Sequence, residues 1–103
     1  MIVTAVFTPK PGEESALLSL LHAQAQYSWQ EPGVISYTIN EISGKPRTFM
    51  NVEVYESSAA FQIHEEMDYT KLFMKEMFKL VEGRPLVHIA STLFIAEHPK
   101  SSF

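Results

Sequence analysis

Apolar and polar positions follow two rhythms along this chain, one of period two and one of period near 3.6. Residues 2–8 form a β-branched and aromatic run that stops at Pro9-Lys-Pro-Gly12, which reads as a strand and then a turn. Over residues 13–29, Leu17, Leu18, Leu21, Ala25 and Trp29 recur at spacings of three and four, the mark of an amphipathic helix. Glu13 and Glu14 fall in its first turn, where they suit the positive end of the helix dipole, and Pro32-Gly33 ends it. Residues 34–42 and 48–55 are strand-like, joined by the hairpin loop Ser43-Gly-Lys-Pro-Arg47. Ser57 is placed to cap a helix over residues 58–66. A further helical stretch covers residues 69–81, with Tyr69, Leu72, Phe73, Met77, Leu80 and Val81 on one side, Gly83 as its C′ residue and Pro85 as its stop. Residues 86–96 read as the last strand and residues 98–103 as a loose, flexible tail.

The order β-α-β-β-α-β, with the second helix broken in two, is that of an α+β ferredoxin-like split βαβ. It predicts a four-stranded antiparallel sheet with helices on one face. Within residues 48–55, Phe49, Asn51, Glu53 and Tyr55 alternate with Met50, Val52 and Val54, so both faces of the sheet carry large or apolar side chains. A sheet covered by helices on one face only then has apolar surface left to bury, and a second copy of the sheet would cover it. The expected partner is therefore the chain itself, in a homodimer.

Composition narrows this picture. At 103 residues the chain makes one domain, residues 1–103, with an ordinary 46 % apolar and 19 % charged content. The formal charge is −4 and the eight basic residues are scattered, which argues against nucleic acid and against a membrane surface as partners. No cysteine is present, so disulfides, thiolate metal sites and cysteine nucleophiles are excluded. The apolar start, residues 1–7, is too short for a signal-peptide core, and a cytoplasmic protein is expected. There is no glycine-rich phosphate loop, no His-x-x-x-His pair and no G-x-S-x-G elbow, so neither a metal nor a cofactor held by a standard motif is expected.

Among the remaining polar residues, His64 shares a helical stripe with Ala60, Phe61 and Met67. It is either a packed histidine with one hydrogen bond or a functional one, a general base or a donor to a ligand oxygen. Glu53 lies in mid-strand among apolar residues and needs a partner, either in an interface salt bridge or as a pocket carboxylate that orients His64. Asn51 shares its parity and could donate to a substrate carbonyl or satisfy nearby backbone. Tyr37, Phe49, Tyr55, Tyr69 and Phe73 are an aromatic set that makes either core or the walls of a pocket for a flat ring. Trp29 reads as packing and His22 as solvated.

Three stretches resemble a known family. Glu31-Pro-Gly-Val-Ile-Ser-Tyr37, Arg47-Thr-Phe-Met-Asn-Val-Glu-Val-Tyr55 and Ser58-Ala-Ala-Phe-Gln-Ile-His64 are similar, in order and spacing, to elements of antibiotic-biosynthesis-monooxygenase domains. The resemblance implies a dimeric α+β barrel of two face-to-face sheets, with a ligand pocket between helices and sheet in each subunit. Some relatives oxygenate quinols or polycyclic phenols with no metal or flavin, while others degrade haem, isomerise a small phosphorylated carbonyl compound or have no known activity. Asp68 stands where many relatives have a second histidine, and Ala5-Val-Phe7, His64 and Phe73-Met-Lys75 do not keep the haem-degrading residues. The resulting expectation is a monooxygenase acting with O2 on a small aromatic substrate. His64 would be the base, Asn51 and Tyr69 would hold oxygens, and Tyr37, Phe49, Glu53, Tyr55 and Phe73 would contact the substrate. The competing expectations are a binding or isomerase module with the same pocket, and a structural dimer.

Overall fold

The computed structural model describes residues 1–93 and 99–101. Its elements run β1 (Ile2–Phe7), α1 (Glu14–Ser28), β2 (Val34–Glu41), β3 (Phe49–Tyr55), α2 (Ser58–Glu66), α3 (Asp68–Met77) and β4 (Leu86–Ala90), with a short 3-10 turn at Pro99–Ser101. The four strands form one antiparallel sheet in the order β2-β3-β1-β4, the ferredoxin-like arrangement.

The helices cover the face defined by Val3, Ala5 and Phe7 of β1, and β3 presents Phe49, Asn51, Glu53 and Tyr55 to the same side. Leu17 and Leu21 of α1 and Phe73 and Met77 of α3 close over Ala5, Phe7 and Phe49 to make the main core. A smaller cluster of Val3, Tyr55 and Ala60 lies under α2. The other face carries Ile2, Thr4 and Val6 of β1 opposite Val54, Val52 and Met50 of β3, an apolar patch with Thr4 as its one polar member. On β2 the same face is polar: Ser36, Thr38 and Asn40, with the Asn40 amide donating to the Thr38 hydroxyl and to Met50 O, both at 3.1 Å.

Where the structure departs from the expected spans, local geometry explains it. α2 begins as expected, with the Ser57 hydroxyl accepting from Ala60 N at 3.1 Å. Met67 then takes an extended conformation (φ −64°, ψ 139°) that breaks the helix and resets its phase. The buried residues of α3 are Thr70, Phe73 and Met77; Phe73 and Met77 lie on the expected stripe, while Leu72, also expected there, is 59 % exposed. α3 ends at Met77, so Gly83 is not its C′ residue. Val81 instead bridges to Pro9, Glu82 N donates to Thr8 O, and Gly83 (φ +66°) turns the chain from that bridge into β4. β4 pairs only over Leu86–Ala90, residues 91–93 have no regular structure, and residues 94–96 of the expected strand lie outside the described residues, as do His98, Ser102 and Phe103 of the expected tail.

Trp29 is also not a packing residue. Its ring is 61 % exposed, and its Nε1 donates to the backbone oxygen of Tyr37 at 2.8 Å, occupying a carbonyl on the edge strand β2. The stripe of α1 runs through Leu17, Leu21, Gln24, Ala25 and Ser28. His22 is exposed, as its position off the stripe implies.

Gly33 holds the turn after α1 against the start of α2. A Cβ placed on it would stand 2.5 Å from the Ala60 Cβ, far inside van der Waals contact. Glu56 N donates to Gly33 O at 2.9 Å, which ties the same turn to the β3–α2 junction. Ala60 and His64 are one helical turn apart on α2, so this close approach sets where His64 stands.

Candidate active site

A cavity of about 390 Å³ opens between the helices and the β1–β4 side of the sheet. Val3, Ala5 and Phe7 form its apolar floor and Phe61, Phe73 and Met77 its roof. On β4 the cavity meets Val87 and Ile89, which are largely exposed and mark its open side together with Arg84. Polar groups enter at two places. Tyr37, Asn51, Glu53 and His64 cluster at the sheet, while Gln24 and Thr70 meet across the helices, the Gln24 amide donating to the Thr70 hydroxyl at 3.0 Å.

The sheet cluster follows from register. Tyr37 of β2 lies opposite Glu53 of β3, and Asn51 is two residues along on the same face. The Asn51 amide donates to the Tyr37 hydroxyl at 3.2 Å, and the Tyr55 hydroxyl donates to Glu53 Oε1 at 2.6 Å. Asn51 Oδ1 is buried and has no hydrogen-bond partner among the described residues. Burial pushes the Glu53 carboxyl above the ordinary carboxylate value, against the opposing influence of the Tyr55 hydrogen bond and of nearby His64. Burial likewise drives the Tyr37 and Tyr55 phenols far up, with the Glu53 charge adding to it, so both stay neutral at physiological pH.

The raised Glu53 value has a sign that can be tested. A carboxyl bound more tightly to its proton in the folded state adds stability that is complete below the unfolded value and is lost as pH rises through the folded one. The wild type should therefore lose ground against Glu53→Gln in melting temperature as pH rises from about 4.5 towards neutral. A difference that stays constant across that window would show that Glu53 titrates as an ordinary carboxyl.

His64 is buried, and its Nδ1 lies 2.8 Å from Glu31 Oε2. The Tyr69 hydroxyl donates to the same Glu31 oxygen. Glu31 is itself buried, and its other oxygen, Oε1, has no partner among the described residues. The imidazole sits among Tyr55, Tyr37 and Phe61, with ring centroids 5.4, 6.0 and 6.4 Å away. Its Nε2 makes no hydrogen bond to the described residues, and the ring lines the cavity.

Of the residues singled out by sequence, the structure brings His64, Asn51, Tyr37, Glu53 and Phe73 to the cavity wall. Phe49 lies in the main core, with the Arg47 guanidinium 5.7 Å over its ring. Tyr55 stands behind Glu53, and Tyr69 stands behind His64, stacked on Tyr27 at 5.0 Å. None of these three lines the cavity. The carboxylate that meets His64 is Glu31 and not Glu53. Sequence reasoning missed this role because 33 positions separate the pair. Its one signal was a carboxylate set directly before Pro32-Gly33. Gln24 was readable as a polar member of the buried stripe on α1, three residues after Leu21.

Among the described residues no group of three or more histidine, aspartate or glutamate side chains is placed to hold a metal ion. No described helix is long and apolar enough to cross a membrane.

This fold and pocket place the chain in a class that sequence comparison defines independently. Residues 1–76 match the model of the antibiotic biosynthesis monooxygenase family, and the chain belongs to that family. Among solved structures, it is similar to Rv0793 from Mycobacterium tuberculosis, with 26 % identity, a TM-score of 0.87, and 93 % of this chain and 97 % of that one covered. It is similar also to protein SO0527 from Shewanella oneidensis, with 30 % identity, a TM-score of 0.80 and 84 % of each chain covered. A protein described as an antibiotic biosynthesis monooxygenase shares the fold at 20 % identity and a TM-score of 0.82, over 90 % of this chain and 99 % of that one. A search of curated protein sequences returns no match.

Proposed function

We propose that this chain is a cytoplasmic monooxygenase that oxidises a quinol or polycyclic phenol with O2, using the reducing power of the substrate itself. One observation carries the reading: an apolar cavity of about 390 Å³ whose wall holds an imidazole with Nε2 uncommitted among the described residues. That volume lies within the usual range for small-molecule sites, and its aromatic roof suits a flat ring. His64 Nε2 takes the phenolic proton. The electron-rich anion then forms a carbon–oxygen bond to O2 at a ring carbon that bears hydrogen, and His64 returns its proton to the new hydroperoxide. Loss of that ring hydrogen as a proton, with departure of hydroxide, leaves a second ring carbonyl and one water. One O2 is consumed per substrate, one oxygen atom entering the quinone. Asn51 Oδ1, buried and without a partner among the described residues, would accept from a substrate hydroxyl.

The chain works as a homodimer in this reading, joined through the apolar centre of the uncovered sheet face around Val6, Met50 and Val52. The test combines light scattering with an oxygen electrode and a panel of naphthols and dihydroxynaphthalenes. Expected are about twice the chain mass of 11.7 kDa and one O2 consumed per quinone formed, with no requirement for added metal or flavin. Ligands that raise the melting temperature but consume no oxygen would replace this reading with a binding or isomerase module.

A further inference from the structure

We propose that Glu31 is a positioning residue that fixes the tautomer and direction of His64, leaving a lone pair on Nε2 aimed into the cavity. The inference rests on the reading of His64 as the base. Two donors converge on one carboxylate oxygen: the Tyr69 hydroxyl bonds to Glu31 Oε2, and His64 Nδ1 lies 2.8 Å from the same atom. An ionised carboxylate can only accept, so the proton in the His64–Glu31 contact sits on Nδ1. A neutral imidazole then carries its lone pair on Nε2, the nitrogen with no partner among the described residues.

The setting favours this role over a purely structural ion pair. A buried pair need not stabilise a fold, because desolvation of both groups offsets their attraction. This pair is also incompletely satisfied, since Glu31 Oε1 is buried with no partner among the described residues. Its polar atoms are spent on aiming one ring. The rigid parts are arranged to the same end: Glu31 sits in the turn after α1, two residues before the Gly33 that packs on Ala60, and His64 follows Ala60 by one helical turn. Tyr69 holds the carboxylate from the far side and is itself stacked on Tyr27. When the substrate O–H bond breaks and the Nε2–H bond forms, the positive charge arises on a ring whose other nitrogen already meets Glu31 Oε2.

The experiment is nitrogen-15 NMR of histidine-labelled full-length protein, with His64 assigned by the signal lost in His64→Asn, joined to steady-state oxygen uptake. The wild-type ring is expected as the Nδ1–H tautomer at the pH of maximal turnover. In Glu31→Ala the single tautomer should be lost and kcat should fall about 10²-fold with KM little changed. In Tyr69→Phe the tautomer should persist and the loss of rate should be smaller. A wild-type ring protonated on Nε2, or a Glu31→Ala variant that keeps both tautomer and kcat, would overturn the inference. If Glu31→Ala does not fold, the wild-type tautomer decides alone. The NMR signature needs no substrate. An Nδ1–H ring in a protein that oxidises none of the quinols leaves Glu31 as the positioning residue and removes the monooxygenase reading instead.

Discussion

Replacing His64 with alanine should slow quinol oxidation by about 10²–10⁴-fold, the usual range for loss of a general base. The same change should lower stability, because it leaves the buried Glu31 with Tyr69 as its remaining donor. Stranding a buried polar partner costs about 1–3 kcal/mol, and more when it is charged. The two effects separate when rate is measured per folded molecule alongside the melting temperature. A variant that melts early but turns over normally would mark His64 as a packing residue and remove it from the chemistry. Adding Glu31→Gln to His64→Ala should recover part of the lost stability, since the stranded carboxyl is gone, and none of the lost rate.

The second large effect is expected at a residue that does not line the cavity. Gly33→Ala would place a methyl 2.5 Å from the Ala60 Cβ, and neither atom is the end of a flexible side chain. Overpacking of this kind costs about 1–3 kcal/mol. In a domain of this size each kcal/mol lowers the melting temperature by about 4–8 °C. Relief requires α2 to move off the turn, and His64 moves with it. Turnover should therefore fall together with stability, although Gly33 touches no substrate. Ala60→Gly in the Gly33→Ala background removes the colliding methyl and should restore most of the rate. It restores less of the stability, because glycine in a helix costs about 0.5–1 kcal/mol relative to alanine. Gly33→Ala protein that melts like wild type would show that the turn can yield without displacing α2.

Much of the fold was legible because its signals are local. The alternation in β3, the three-and-four spacing of α1 and the Ser57 cap each lie within one element, and each stands where the pattern placed it. The stripe of α3 was legible in part: Phe73 and Met77 are buried as read, and so is Val81 beyond the helix, while Leu72 is exposed and the polar Thr70 takes an inward position that an apolar pattern does not mark. Trp29 was misread because its spacing matched the apolar stripe, while its Nε1 had a carbonyl to reach. The site was half legible. The parity of β3 put Asn51 and Glu53 on one face, while the register that sets Tyr37 opposite Glu53 came from the structure. The meeting of Glu31 with His64 depends on how α2 lies on the turn after α1, and no sequence spacing encodes that.

Trp29 is the single tryptophan of the chain, and its indole is tied to the backbone of Tyr37, whose hydroxyl belongs to the polar cluster in the cavity wall. The protein thus carries its own optical reporter. A ligand that shifts Tyr37 alters the hydrogen bond of an indole standing largely in solvent, and indole emission responds in colour and intensity to such changes. Binding of candidate quinols can be tested by fluorescence titration without a label, with O2 excluded so that any binding is seen apart from turnover.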